Sequence, residues 1–81
     1  MVRVSGVVLD KFTGDPIAGA LIHLDIYRTT SHSDGTFEFD VPEGTYILTA
    51  SAEGYSQITR VVDVSEGTYL TVLMTPIATL L

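Results

Sequence analysis

The chain has 81 residues, enough for one domain spanning residues 1–81 and not for two. It carries ten acidic against four basic residues, for a formal net charge of −6, and no cysteine, which excludes disulfides, zinc thiolate sites and a cysteine nucleophile. Nucleic acid is not an expected partner: Arg3, Lys11, Arg28 and Arg60 are scattered, whereas displacing counterions from phosphates takes clustered Lys and Arg. The N-terminal stretch from Met1 to Phe12 lacks the charged-then-apolar build of a signal peptide. No apolar run approaches the roughly 20 residues that span a bilayer, so membrane insertion is not expected either.

In chain order, Val2 to Leu9 predicts a first strand rich in β-branched residues, with Gly6 at an interior position that signals a bulge or close packing. Asp10 to Pro16 reads as a loop, with Phe12 expected to fold back beneath it as a plug. Ile17 to Ala20 predicts a short edge segment. Leu21 to Arg28 then predicts one long strand, with Ala20, Ile22, Leu24 and Ile26 on one face and Leu21, His23, Asp25 and Tyr27 on the other. After a polar loop, Asp34-Gly35 is a hairpin-type dipeptide.

Phe37, Phe39 and Val41 alternate with Thr36, Glu38 and Asp40, and Pro42 ends that strand because it cannot donate to a ladder. Beyond the Pro42-Glu43-Gly44 turn, Tyr46, Leu48 and Ala50 oppose Thr45, Thr49 and Ser51, while Ile47 breaks the polar face and implies cover on both sides. Ser56 to Val64 places Ile58, Val62 and Val64 inside and Arg60 near a rim. Thr68 to Thr75 opposes Leu70, Val72 and Met74 to Tyr69, Thr71 and Leu73, and Pro76 stops it. The tail Ile77 to Leu81 predicts a last edge strand or an association surface. No window shows sustained helical spacing with a cap, so the chain reads as an all-β sandwich or barrel.

Five stretches together resemble a known family. They are Gly6-Val-Val-Leu-Asp10, Gly14-Asp-Pro-Ile-Ala-Gly-Ala20, Asp34-Gly-Thr-Phe37, Pro42-Glu-Gly-Thr-Tyr-Ile-Leu48 and Gly54-Tyr55. In order and spacing they look like the carboxypeptidase regulatory-like domain, over residues 2 to 75. The resemblance implies a seven-stranded antiparallel β-sandwich of the transthyretin-like (prealbumin-like), Greek-key type. It also implies a noncatalytic accessory or interaction module of a larger secreted or cell-surface protein. Tyr46 falls where a sandwich corner needs a large ring with a hydrogen-bonding tip. Where the family often has Thr-Asp before the turn, this chain has Ser31-His32, which weakens carry-over of a metal-binding loop. The chain is similar, more distantly, to the Cna B-type adhesin repeat. The position of that family's cross-linking Glu is Ala50 here, and the chain has no Asn, so isopeptide chemistry is not expected.

Candidate chemistry is sparse. Ser31, His32, Ser33 and Asp34 supply the residue types of a triad, but neighbours on one loop rarely reach triad geometry, and a solvated turn is the expected reading. His23 lacks a second well-placed His for zinc. Asp34, Asp40 and Glu43, or Asp10 and Asp15, could offer oxygens to calcium but lack EF-hand spacing. Asp25, Glu38 and Asp40 could form a glycosidase-like carboxylate pair, though strand-exposed acids usually only solubilise. No catalytic residue, metal or cofactor is therefore expected. Of the four tyrosines, Tyr27 and Tyr69 fall on faces read as outer and are the binding candidates, as rings for a glycan, a peptide or a small apolar ligand. Exposed edge strands also leave room for a homo-oligomer.

Overall fold

Alternation of apolar and polar residues with period two produces strands throughout, and in the computed structural model, which describes residues 1–77, seven of them form. They are β1 (Val2–Asp10), β2 (Leu21–Leu24), β3 (Tyr27–Thr30), β4 (Thr36–Val41), β5 (Gly44–Ser51), β6 (Ile58–Val64) and β7 (Tyr69–Met74). They make two sheets, one ordered β4-β1-β7 and the other β3-β2-β5-β6. Of the expected tail strand, residues 78–81 lie outside the described residues.

The sheets pack with their apolar faces together. The first supplies Val4, Val8, Phe37, Phe39, Val41, Leu70, Val72 and Met74, and the second supplies Ile22, Leu24, Tyr46, Leu48, Ala50, Val62 and Val64. Phe37 and Phe39 meet edge to face with ring centres 6.0 Å apart. Gly6 is there for close packing, as expected: a Cβ at this position would collide with the Leu70 carbonyl oxygen and the Phe37 ring.

Four features differ from the sequence expectation. Leu21 to Arg28 is not one strand but a tight hairpin, in which Leu24 pairs with Tyr27 and the loop is Asp25-Ile26. Asp25 takes a φ of 52°, which is costly for a residue with a Cβ. Its backbone N–H donates to the Ile47 carbonyl (3.1 Å) and its Oδ1 accepts from the Ile47 N–H (2.9 Å), so β5 holds the turn in place. Ile26, expected inside, is 87% exposed at the tip.

Second, Ile17 to Ala20 forms no strand, though Ile17 and Ala20 are buried. The count of seven survives because the split of Leu21 to Arg28 replaces it. Third, the turn at Asp34-Gly35 closes as expected, with the Gly35 N–H on the His32 carbonyl (2.9 Å), but it joins strands of different sheets. Fourth, β1 and β7 pair in parallel, Ser5 beside Tyr69 through Asp10 beside Met74. The β6–β7 connection crosses between sheets and delivers β7 to the end where β1 starts, so that one pair departs from the otherwise antiparallel pattern.

Candidate functional site

The loop from His32 to Asp34 and the segment before it hold no triad. Ser31 is buried rather than solvated. Its hydroxyl donates to the Ile17 carbonyl (2.7 Å) and accepts from the Ala20 N–H (2.8 Å), tying the irregular segment before β2 to the end of β3. His32 Nε2 lies 3.0 Å from a Glu38 carboxylate oxygen on the surface. Asp34 Oδ1 accepts from the Thr36 hydroxyl (2.6 Å) and N–H (3.0 Å), and these two bonds, in that order, hold its carboxyl below the ordinary range. Each group of the apparent triad is thus bonded to a different partner.

Two further carboxylates considered for calcium, Asp10 and Asp40, are similarly engaged. Asp10, buried at the end of β1, accepts from the N–H groups of Phe12 (2.8 Å) and Thr13 (3.0 Å) on Oδ1 and from the Tyr55 hydroxyl (2.9 Å) on Oδ2. The Thr13 and Phe12 bonds, then that of Tyr55, depress its pKa. The reciprocal bond to Asp10, followed by burial, raises that of Tyr55. Asp40 pairs with Arg3 at 3.2 Å. Among the described residues, no three His, Asp or Glu side chains gather to hold a metal ion. Phe12, expected to plug this loop, is 73% exposed, because the Asp10 carboxylate and not an apolar ring organises the turn.

The tyrosines divide. Tyr46 is the corner residue expected: its hydroxyl donates to the Pro42 carbonyl four positions upstream (2.5 Å), and burial raises its pKa. Tyr27 is not on an outer face. The hairpin reverses the strand and sets Tyr27 opposite Leu24, on the core side, half-buried and edge to face with Tyr46 at 6.1 Å. Tyr69 does stand outward, 61% exposed on β7. The two candidate rings therefore lie in different sheets and on opposite kinds of face, and no single site joins them.

A feature the sequence did not single out lies on the outer face of the four-stranded sheet. His23, Asp25, Ile47, Thr49, Ser51 and Gln57 line a shallow depression of about 380 Å³. Ile47 carried the only hint, as the apolar residue in a polar row. It is not covered on both sides, as its position suggested, but 52% exposed beside this depression. The lining offers an imidazole, a carboxylate, hydroxyls and an amide around one aliphatic patch, a set able to hydrogen-bond a polar ligand.

Arg60 behaves as expected of a rim residue. It has the parity of the core-facing residues of β6, yet it is exposed, and its guanidinium reaches across to the Thr71 carbonyl of β7 at 3.0 Å.

Comparison with known proteins fits this arrangement. The family model for the carboxypeptidase regulatory-like domain matches residues 3–75. The chain belongs to that family. It is 39% identical over 59 residues to carboxypeptidase Z of Gallus gallus, covering 70% of this chain and 9% of that protein. The chain spans 9% and 12% of the length of the curated relatives it matches. Among solved structures, a chain of a type II Cohesin-X-Dockerin complex from Acetivibrio cellulolyticus matches with a TM-score of 0.77 at 23% identity, over 91% of this chain and 57% of that one. The 5-hydroxyisourate hydrolase of Klebsiella pneumoniae matches with a TM-score of 0.73 at 20% identity, over 94% and 92%. At these identities the two structures establish the fold, a transthyretin-like β-sandwich, and nothing of the chemistry.

Proposed function

We propose that this carboxypeptidase regulatory-like domain is a noncatalytic accessory or interaction module of a larger protein that works outside the cell or at its surface. The observation that carries the reading is the commitment of its reactive side chains. Ser31, Asp34 and Asp10 spend their polar atoms on the loops that shape the sandwich, and His32 pairs with Glu38 on the surface of β4. The small share of its relatives that the chain spans supports a module serving a longer polypeptide. A protein partner is supported by analogy with the matched chain of the Cohesin-X-Dockerin complex, itself part of a protein assembly. The test is an assay of the purified domain on 5-hydroxyisourate and on peptide and ester substrates. No turnover is expected; measured turnover lost on substituting a named residue would overturn the reading.

Two observations favour a second reading, a glycan-, peptide- or small-ligand-binding module: the outward Tyr69 ring and the depression beside His23. Thermal melts against oligosaccharides, peptides and small aromatic compounds test it. A ligand at about 100 times its Kd adds about 2.7 kcal/mol, a shift of several degrees in so small a domain. Tyr69→Ala should abolish a shift that arises at that ring, without lowering the unliganded Tm, and should leave unchanged a shift that arises at the depression in the other sheet. Tyr27→Ala should lower the unliganded Tm, because that ring packs against Tyr46; a shift that also vanishes there would make Tyr27 part of the site.

A further inference from the structure

The two sheets are unequal, four strands against three. With β3 lying beside β4 at one end of the sandwich, the shorter sheet runs out before covering β6 at the other. The inward row of β6 records this. Val62 and Val64 are buried, but Ile58 is only half-buried and Arg60 is exposed, although Arg60 sits directly beside the fully buried Leu48. A cation stands at a core-facing position because, among the described residues, no strand lies next to β7 there.

The backbone of β7 points the same way. The Thr68 and Met74 carbonyls accept from β1 at Ser5 and from Lys11 just beyond it. The Thr71 and Thr75 carbonyls instead accept from Arg60 and Ser56, on the side away from β1. By the alternation of a strand, the N–H and C=O groups of Tyr69, Thr71 and Leu73 then face the open edge. No residue of the strand itself guards this edge with a charge, and the Arg60 guanidinium reaches it only at Thr71. From Tyr69 to Met74 the strand has no Asp, Glu, Lys, Arg or Pro, whereas β3 carries Arg28, β4 carries Glu38 and Asp40, and β6 carries Arg60 and Asp63. Charged residues are the usual device that keeps an edge from pairing.

We propose that the free edge of β7 receives an extended segment of a partner protein as a fourth strand of the smaller sheet, and that Arg60 takes a carboxylate of that segment. The inference rests on the interaction-module reading and gives it a surface. Main-chain hydrogen bonds at Tyr69, Thr71 and Leu73 would supply the affinity, and alternate side chains the specificity. A strand added here takes over the Thr71 carbonyl and releases the Arg60 guanidinium beside the incoming segment, where an Asp or Glu can pair with it. A second copy of this chain is the poorer occupant. Pairing β7 with its symmetry mate about Thr71 would bring two Arg60 side chains together, and each copy carries a net charge of −6.

The experiment is amide hydrogen exchange by NMR on the full chain, with three capped ten-residue peptides of alternating Thr and Val bearing Glu, Gln or Lys at the centre, each taken to millimolar concentration. The Glu peptide is expected to slow exchange at Tyr69, Thr71 and Leu73 and to bind about fivefold more tightly than the Lys peptide. That preference should shrink in high salt and vanish in Arg60→Gln. Thr71→Pro removes an open-edge N–H without touching the β1 ladder and should abolish binding; Leu73→Lys, which charges the edge, provides the same check should the proline variant fail to fold. Unchanged exchange at these three amides with all three peptides overturns the proposal. Equal binding of the Glu and Lys peptides overturns the part given to Arg60. Protection confined to the depression beside His23 overturns the edge but leaves the interaction-module reading standing, and only turnover removes that reading itself.

Discussion

Three single residues join parts of the chain that lie far apart in sequence. Gly6 lies where the Leu70 carbonyl and the Phe37 ring leave no room for a methyl group. Gly6→Ala should cost about 3 kcal/mol, as overpacking in a tight core does, and lower the urea midpoint without changing the slope. Ser31 holds two backbone groups from the segment before β2. Ser31→Ala leaves the Ile17 carbonyl and the Ala20 N–H without that partner inside the protein, so a loss of about 2 kcal/mol is expected in the same measurement. Tyr55 donates across 45 positions of sequence to Asp10. In Tyr55→Phe the Asp10 carboxyl should titrate closer to its ordinary value of 3.8, as read from its NMR chemical shift against pH.

Among the elements, the β2–β3 hairpin is the one built on an unusual backbone. A two-residue loop whose first residue has positive φ normally carries Gly there. Asp25 occupies that position, and its carboxylate caps the Ile47 N–H in the place where the β2–β5 ladder ends. Asp25→Asn keeps the acceptor oxygen and the tolerance for this conformation, and it should be close to neutral. Asp25→Ala retains the strain and loses the bond, and should cost about 1–2 kcal/mol. Equal destabilisation by the two in chemical denaturation would show that the negative charge, and not the cap, matters. The hairpin also explains the fate of the binding candidates. Reversing the chain after Leu24 turns Tyr27 inward and throws Ile26 out, while Tyr69, on a strand that runs as expected, keeps its outward place.

At the scale of the molecule, folding is coupled to pH through Asp10 and Asp34, whose carboxyls are both held below 3.8 by hydrogen bonds in the folded state. The unfolded chain therefore binds more protons in this window, and stability rises with pH there. The contribution is complete above the unfolded value and is lost as the pH falls through the depressed folded values. Thermal melts should give a Tm that is flat from pH 7 to about 5 and falls below about 4, with a shallower fall in Tyr55→Phe. A Tm rising on acidification across that range would contradict the bonds described at both residues. A domain of this size buries only roughly 60% of its unfolded surface, so losses of this kind remove a large share of its stability.

Most of the strands, the inner and outer faces of β4, β5 and β7, and the rim position of Arg60 were legible in the sequence. Each follows from local alternation, Gly and Pro punctuation, or the mismatch of a charge in an apolar row, while the Tyr46 corner came with the resemblance to the family. The split of Leu21 to Arg28 was not, since Asp25-Ile26 lacks the glycine that marks such turns and the alternation runs through it unbroken. Nor were the burial of Ser31 and Asp10 legible, the depression beside His23, or the parallel β1–β7 pair. These depend on which segments meet across a gap of many residues, and period-two patterning says which side of a strand is wet without saying which strand lies beside it. The open edge of β7 is decided the same way: the strand's lack of charge is written in the sequence, but its lack of a neighbouring strand among the described residues is a property of three strands stacked on four.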